Sequence, residues 1–234
     1  MNFLTAEWRK LAIINYEINP KILEKYLPNG VELDYWEGKC YVSLIGFMFL
    51  NTKLLGVPVP FHRNFEEVNL RFYVKKFENK EWKRGVVFIK EIVPKIALKL
   101  VANIFYNEHY EKLPMKNSIE TAGKHLKVSY SWKTKVWNTV KIEAENSELL
   151  MEGNSEFEFI TEHYYGYTKN KNSTSEYEVQ HPQWKFYKVN NYEISLDFAD
   201  NYGEDFEFLN QQKPISVMLA EGSEVTVKTK SFLN

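Results

Sequence analysis

The segment FEEVNLRFYV, residues 65–74, constrains the fold more than any other part of the sequence, because polar and apolar side chains alternate from residue 67 to residue 74. Successive side chains of a β-strand point to opposite faces of its sheet, so this segment predicts a strand with two different faces. The apolar face carries Val68, Leu70, Phe72 and Val74. The polar face carries Glu67, Asn69, Arg71 and Tyr73. The apolar face must pack on another part of the protein, whereas the role of the polar face has to be worked out.

Two interpretations of this polar face are open. It lies against solvent, as one face of an antiparallel sheet commonly does, or it lines an interior cavity. Water-facing strands more often carry Lys, Thr, Ser and Gln than this combination. In a cavity, Arg71 would bind a carboxylate or carbonyl group, and Glu67 would accept or donate a proton. Asn69 lies between them, since residues two apart on a strand are separated by ~6.6 Å, and Tyr73 completes the ligand-binding row.

The remaining sequence predicts many strands and few helices. Helices are expected at 19–28, which has a proline near each end, and at 94–110, where apolar residues recur at helical spacing. The predicted strands span residues 40–50, 66–77, 84–93, 126–133, 136–144, 153–162, 184–189, 192–198, 214–219 and 223–230. We expect residues 8–18 to form a strand or short helix, and residues 203–212 a helical turn.

The order of these elements predicts the fold class. No linker rich in Pro, Gly or Ser divides the chain, so we expect a single domain over residues 1–234. Many strands with few helices indicate an α+β protein with a mostly antiparallel sheet. Because unpaired strand edges favour aggregation, we expect so many strands to close into a barrel or a double sheet.

Charge balance and missing motifs exclude several classes of function. The net charge is −1, from 30 basic and 31 acidic residues, and no basic stripe marks a nucleic-acid binder. The sequence contains neither a glycine-rich phosphate loop nor a serine-centred nucleophile elbow. The five histidines do not have metal-ligand spacing. We therefore expect no nucleic-acid partner, no cofactor and no metal.

The only cysteine and the hydropathy pattern indicate the compartment. Cys40 excludes an intramolecular disulfide and a zinc finger, and its apolar neighbours predict a buried, inert thiol. The N-terminal segment MNFLTAEWRK lacks the apolar run of a signal peptide. The longest apolar run, about eight residues, is shorter than the ~20 that a membrane span requires. We expect a cytoplasmic protein with no membrane partner.

Several segments resemble the uncharacterised bacterial YqjF-type family, and the resemblance covers nearly the whole chain. The segments are LPNGVELDYWEGKCYVSLIGFMF, FEEVNLRFYV, RGVVFIKEIVP, YNEHYEKLPM and EGNSEFEFITEHYYGYT. That family is similar to a branch of the acetoacetate-decarboxylase-like superfamily. The resemblance implies a closed, cone-like antiparallel β-barrel with a few outer helices and a ligand pocket inside the cone.

The resemblance also bears on individual residues. In the decarboxylases a lysine with a lowered pKa forms a Schiff base with a β-keto acid, and a glutamate assists. Glu67 matches the position of that glutamate. Tyr110 falls about where the Schiff-base lysine would lie, and the nearest amine, Lys112, follows Glu111 instead of another lysine. The resemblance therefore implies a pocket without its nucleophile, in which Tyr110 serves as a hydrogen-bond donor or as an aromatic plug.

Two further basic residues are candidates. Alternation puts Lys90 and Glu91 on opposite faces of their strand, so one of the two points inward. Lys90 would share a face with Val86, Phe88 and Ile92, where an apolar setting would lower its pKa and make it a substitute amine or base. The alternative is a lysine that extends to the rim of the sheet. Arg63 lies on a proline-flanked loop and would bind ligand at the mouth of the barrel or be exposed.

The sequence leaves three functions open. The first is a small-molecule-binding β-barrel for a carboxylate or carbonyl compound. The second is a lyase or isomerase acting on a keto acid, with Glu67 as general base, Arg71 as carboxylate clamp and Lys90 as amine. The third is a structural or interaction protein whose barrel is filled by its 37 aromatic residues (16 Phe, 15 Tyr and 6 Trp). A homo-oligomer is compatible with all three.

Overall fold

The computed structural model describes residues 1–58, 63–94, 110–170 and 173–233. The strands in these residues are β1 (Asn2–Glu17), β2 (Glu32–Leu33), β3 (Tyr41–Leu54), β4 (Val57–Pro58), β5 (Phe65–Glu78), β6 (Glu81–Val93), β7 (Tyr110–Lys112), β8 (Met115–Ala122), β9 (His125–Lys133), β10 (Trp137–Leu149), β11 (Tyr165–Lys169), β12 (Thr174–Gln180), β13 (Phe186–Ser195), β14 (Ser216–Lys228) and β15 (Ser231–Leu233). The helices are α1 (Pro20–Leu23), α2 (Glu156–Thr161) and α3 (Phe198–Tyr202), with 3-10 helices at Glu24–Tyr26 and Glu204–Gln211.

The strands form one mostly antiparallel sheet, which confirms the predicted α+β class. Neighbouring strands follow the order β15-β12-β11-β6-β5-β3-β1-β14-β13-β10-β9-β8. Among the described pairings, only those of β6 with β7 and with β11 are parallel. An additional pairing joins Val179 of β12 to Val227 of β14. As a result, β12, β11, β6, β5, β3, β1 and β14 are each paired with two other members of this set of seven.

The two faces of β5 pack into two different apolar clusters. Its apolar side chains Val68, Leu70 and Phe72 join a cluster that includes Leu126 and Trp132 of β9. Its other face adjoins a second cluster formed by residues of β1, β3, β12 and β14. We call the side of the sheet that carries this second cluster the inner face. The alternating side chains of β5 therefore point into two different apolar clusters, one on each face of the sheet.

Two irregularities position the strands around the inner face. The pairing of β5 with β6 changes register between Leu70 and Arg71. In β14, Gly222 has a φ of +81°, and a Cβ atom built there would lie 1.9 Å from the carbonyl oxygen of Trp8. Glycine is therefore required where β14 passes β1, because any side chain would combine a backbone clash with a left-handed conformation.

Some predicted elements differ from the structure. Residues 153–162 were expected to form a strand but contain α2, because Ser155 caps the helix by accepting a hydrogen bond from the Glu158 N–H at 3.2 Å. Two short strands were predicted within 184–198, and the structure has the single strand β13, which ends at Ser195. Two more were predicted within 214–230, and the structure has the single strand β14.

The predicted helices were partly found. The first is confirmed in a shorter form, as α1 and the 3-10 turn that follows it, with Asn19 as N-cap. The helical turn predicted at 203–212 is confirmed as a 3-10 helix. The helix predicted at 94–110 lies, apart from its two end residues, outside the described residues. Within the described parts of the chain, no helix is both long and apolar enough to cross a membrane.

Candidate active site

The polar row of β5 lies inside the protein. Glu67, Asn69 and Arg71 are 3%, 2% and 8% exposed, which excludes a solvent-facing strand face. All three line a cavity of about 30 Å³ on the inner face of the sheet. The volume is two to three times the roughly 10–15 Å³ that one water molecule requires. Aromatic and aliphatic side chains complete the walls, including Phe47, Phe49, Phe88, Tyr177 and Val227.

Hydrogen bonds hold the row in place. The Asn69 amide Nδ2 donates to Glu67 Oε1 at 2.9 Å. The Arg71 Nη2 donates to the carbonyl oxygen of Ile160 at 3.2 Å, and its guanidinium carbon lies 5.5 Å from the centre of the Tyr73 ring. Ile160 belongs to α2, so this helix anchors the guanidinium from one side. The three polar groups are therefore fixed before any ligand arrives.

Glu91 is a cavity residue that sequence reasoning did not single out. It pairs across the strands with Asn69, is 3% exposed and lines the same cavity. Tyr110 of β7 pairs with Glu91 in parallel register, and its hydroxyl donates to Glu91 Oε1 at 2.7 Å. Tyr110 also lines the cavity, at the side that the family resemblance indicated. The cavity thus contains two carboxyl groups, of Glu67 and Glu91, on either side of Asn69.

Lys90 does not face this cavity, which corrects the placement expected from unbroken alternation. Its Nζ donates to Glu111 Oε2 at 2.8 Å, and its side chain is 26% exposed. The cause is the register change in the β5–β6 pairing, where Leu70 faces Lys90 but Arg71 faces Phe88. Phe88 therefore keeps its inward orientation while the next inward residue is Glu91. Among the described residues that line the cavity there is no lysine.

Some buried polar atoms around the cavity have no hydrogen-bond partner among the described residues. Trp8 Nε1, Asn69 Oδ1 and Arg71 Nε are three of them. Two are donors and one is an acceptor. A buried polar group without a partner costs about 1–3 kcal/mol. Native proteins keep few such groups, so three at one cavity are unusual.

Two other predicted ligand-binding residues are not brought to the cavity. Tyr73 is on the inner face, but its hydroxyl is within 2.7 Å of Ser43 Oγ and its ring packs on His163, with 4.8 Å between ring centres. Arg63 is exposed, and its Nη2 donates to Asn51 Oδ1 at 3.2 Å. Neither residue is among those that line the cavity.

A buried ion cluster lies behind Tyr73. Asp34 Oδ2 accepts a hydrogen bond from Arg84 Nε at 2.7 Å and lies 3.3 Å from His163 Nε2. Burial lowers the pKa of His163 to about 4, so the imidazole is neutral at pH 7. Burial acts to raise the pKa of Asp34, but hydrogen bonds to His163 and Arg84 outweigh it and lower that pKa to about 2. This cluster is a structural support for the row.

Cys40 is buried, and burial raises the pKa of its thiol to about 11, as expected of an inert cysteine.

The described residues include no group of three or more His, Cys, Asp or Glu side chains arranged to hold a metal ion. The chemistry that the cavity residues themselves offer is proton transfer by the two carboxyl groups and binding of an oxygen atom by Arg71.

A family model described as an uncharacterized conserved protein, DUF2071, matches residues 5–224. The chain belongs to the DUF2071 family. The sequence is also similar to that of the uncharacterized protein YqjF of Bacillus subtilis (strain 168), which is 29% identical over 111 residues. That match covers 47% of this chain and 44% of YqjF, so less than half of either protein is compared.

Several solved structures have a similar fold. Acetoacetate decarboxylase from Legionella pneumophila has a TM-score of 0.66 at 13% identity and covers 99% of this chain and 87% of its own. The enduracididine biosynthesis enzyme MppR, complexed with pyruvate, has a TM-score of 0.69 at 9% identity over 100% and 91%. An acetoacetate decarboxylase-like enzyme from Sphingomonas wittichii RW1 scores 0.67 at 10% identity over 100% and 94%. At these identities the likeness shows the fold alone.

Proposed function

We propose that this DUF2071 protein binds a small carbonyl or carboxylate compound in the cavity bounded by Glu67, Asn69 and Arg71. The observation that carries the proposal is the guanidinium of Arg71, which is buried, anchored at Nη2 and unpartnered at Nε within the described residues. A guanidinium N–H is a strong donor to a carbonyl or carboxylate oxygen. A ligand oxygen at Nε would complete its hydrogen bonding.

The fold supports this proposal. The seven strands that are each paired with two others support the closed barrel that the family resemblance implies, with the inner face of the sheet as its interior. MppR, which shares the fold, has been seen with pyruvate, a three-carbon keto acid. A cavity of about 30 Å³ suits a compound of only a few heavy atoms. A barrel filled entirely by aromatic residues, the third possibility, would not leave unpartnered polar atoms around a cavity.

Acid–base catalysis on the same ligand is a second candidate function. Glu67 and Glu91 flank Asn69, and Tyr110 donates to Glu91, so the two carboxyl groups have different surroundings. Two carboxyl groups in different settings at one site are a common arrangement for a general acid and a general base. A lyase or isomerase of this type would use Glu67 or Glu91 to remove a proton next to the ligand carbonyl, without a Schiff base at Lys90.

Ligand-induced stabilisation tests the binding proposal. Pyruvate, acetone and hydroxyacetone are added at millimolar concentration, and the melting temperature Tm is measured for the wild type and for Arg71→Met. At least one compound should raise the Tm of the wild type and leave that of the variant unchanged. Arg63→Met is the matched control, because it removes an exposed guanidinium and should respond like the wild type. Equal responses of all three proteins would contradict the proposal.

Deuterium exchange tests the catalytic candidate. Proton removal next to a carbonyl exchanges the methyl protons of pyruvate or hydroxyacetone with deuterium from D₂O, which proton NMR detects directly. Exchange above the rate without protein, reduced by Glu67→Gln or Glu91→Gln, would support an acid–base enzyme. If a compound binds but its methyl protons exchange only at the uncatalysed rate, the protein binds that compound without catalysing proton removal.

A further inference from the structure

The unpartnered polar atoms that line the cavity define the chemical class of its ligand more narrowly than the cavity volume does. We infer that the preferred ligand is a neutral carbonyl compound that also carries a hydroxyl or enol group, and that a simple carboxylate is disfavoured. This inference rests on the proposed function and names the ligand class for the same site. Two properties of the described cavity residues support it: the unpartnered donors and the unpartnered acceptor.

The two donors call for one or two acceptor oxygens. Trp8 Nε1 and Arg71 Nε both belong to cavity-lining residues and have no acceptor among the described residues. A carbonyl oxygen has two lone pairs and can accept from both. Acetone, pyruvate and hydroxyacetone all provide such an oxygen, so the donors alone do not choose among them.

The unpartnered acceptor, Asn69 Oδ1, distinguishes among these three compounds. The amide Nδ2 of Asn69 is engaged by the Glu67 carboxyl group at 2.9 Å, which leaves Oδ1 as the end of the amide without a described partner. An amide oxygen can only accept a hydrogen bond. Acetone and ionised pyruvate have no O–H to donate and would leave Asn69 Oδ1 buried and unpaired. A ligand hydroxyl would satisfy it, and sites built around such a hydrogen bond discriminate strongly against analogues that lack the group.

The indole N–H of Trp8 provides a readout at the site. The protein has six tryptophans, and a ¹⁵N-labelled sample gives one indole signal for each. Trp8→Phe assigns the signal by its loss. Titration of the wild-type protein with hydroxyacetone, acetone or pyruvate then gives a dissociation constant for each compound from the shift of the Trp8 signal. Because acetone differs from hydroxyacetone only in the hydroxyl group, it is the matched control ligand.

We expect hydroxyacetone to bind at least tenfold more tightly than acetone and than pyruvate. In Asn69→Leu the advantage over acetone should disappear while the carbonyl contact with Arg71 persists. If pyruvate or acetone binds as tightly as hydroxyacetone to the wild type, the inference is wrong and the proposed function stands. If none of the three compounds shifts the Trp8 signal, both are wrong. The comparison on the wild type decides even if the variant does not fold.

Discussion

Two buried asparagines on opposite sides of the sheet differ in how far the protein itself completes their hydrogen bonding. Asn201 of α3 accepts a hydrogen bond from Trp132 Nε1 at 2.6 Å and donates to Asn138 Oδ1 at 3.0 Å and to the Asp197 carbonyl at 2.6 Å. The side chain of Asn69 in β5 makes one described hydrogen bond, to Glu67, and its Oδ1 has no partner among the described residues.

The surroundings of the two asparagines differ in the same way. Asn201 is 0% exposed and is bonded to Trp132, which belongs to the apolar cluster that contains Val68, Leu70 and Phe72. Asn69 is 2% exposed but adjoins a cavity. Burial therefore does not separate structure from function in this protein. The difference is whether hydrogen bonding is completed by the protein or left open, and it leads to opposite expectations for stability and for binding.

The largest effect is expected from Asn201→Leu. The substitution leaves Trp132 Nε1 and Asn138 Oδ1 buried without this partner, and each such group costs about 1–3 kcal/mol. We expect the free energy of unfolding to fall by about 4 kcal/mol in urea denaturation. Asn191→Leu, an exposed asparagine of β13, is the control and should change it by less than about 0.5 kcal/mol. A similarly small loss in Asn201→Leu would remove one side of the comparison.

The second effect concerns pH and the cluster behind Tyr73. The pKa of His163 in the folded protein is about 4, below the ordinary 6.5, because of burial. Between pH 6.5 and 4 the unfolded chain takes up a proton that the folded protein does not, so stability falls as the pH falls. This difference amounts to about 3 kcal/mol. In His163→Gln that part of the pH dependence should be absent, while exposed His125→Gln should keep it. Equal slopes in both variants would contradict the assignment.

A smaller effect is expected from Asn69→Leu. The substitution removes the hydrogen bond to Glu67 but also removes an incompletely bonded polar group and adds apolar contact in a cavity. We expect the free energy of unfolding to change by less than about 1 kcal/mol in urea denaturation. A loss as large as that of Asn201→Leu would show that Asn69 is structural, and the contrast between the two asparagines would fail.

The smallest effect is expected from Lys90→Met. Its ion pair with Glu111 is partly exposed, and such pairs contribute about 0–1 kcal/mol. Both stability and the Tm response to added ligand should stay within error of the wild type. Its neighbour Glu91→Gln, which changes a cavity residue, should alter the ligand response. If Lys90→Met abolished that response, the orientation of β6 described here would be wrong.

The sequence predicted which residues share the polar face of β5, because the pairing of β5 with β3 is regular from Phe65 to Phe72, but it left open whether that face points inward. It did not identify Glu91, because the register change opposite Leu70 lies in the backbone pairing and has no residue signature in β6. The position of Tyr110 followed from the family resemblance and not from periodicity.

Helix α2 was missed for a different reason. The segment Ser155–Glu158 has the serine and glutamate of a helix-capping pattern, and reading it would have predicted the helix whose Ile160 carbonyl anchors Arg71. Trp8 is far from Asn69 and Arg71 in the sequence, so only the three-dimensional structure could show that their unpartnered polar atoms lie around one cavity.

The most direct test of the central claim is a crystal structure of the protein soaked with hydroxyacetone. We expect electron density for the compound in the cavity, with its carbonyl oxygen within hydrogen-bond distance of Arg71 Nε and its hydroxyl within hydrogen-bond distance of Asn69 Oδ1. Density for water alone at those atoms, or the compound bound elsewhere with these two atoms still unpartnered, would contradict the claim that this row forms a ligand site.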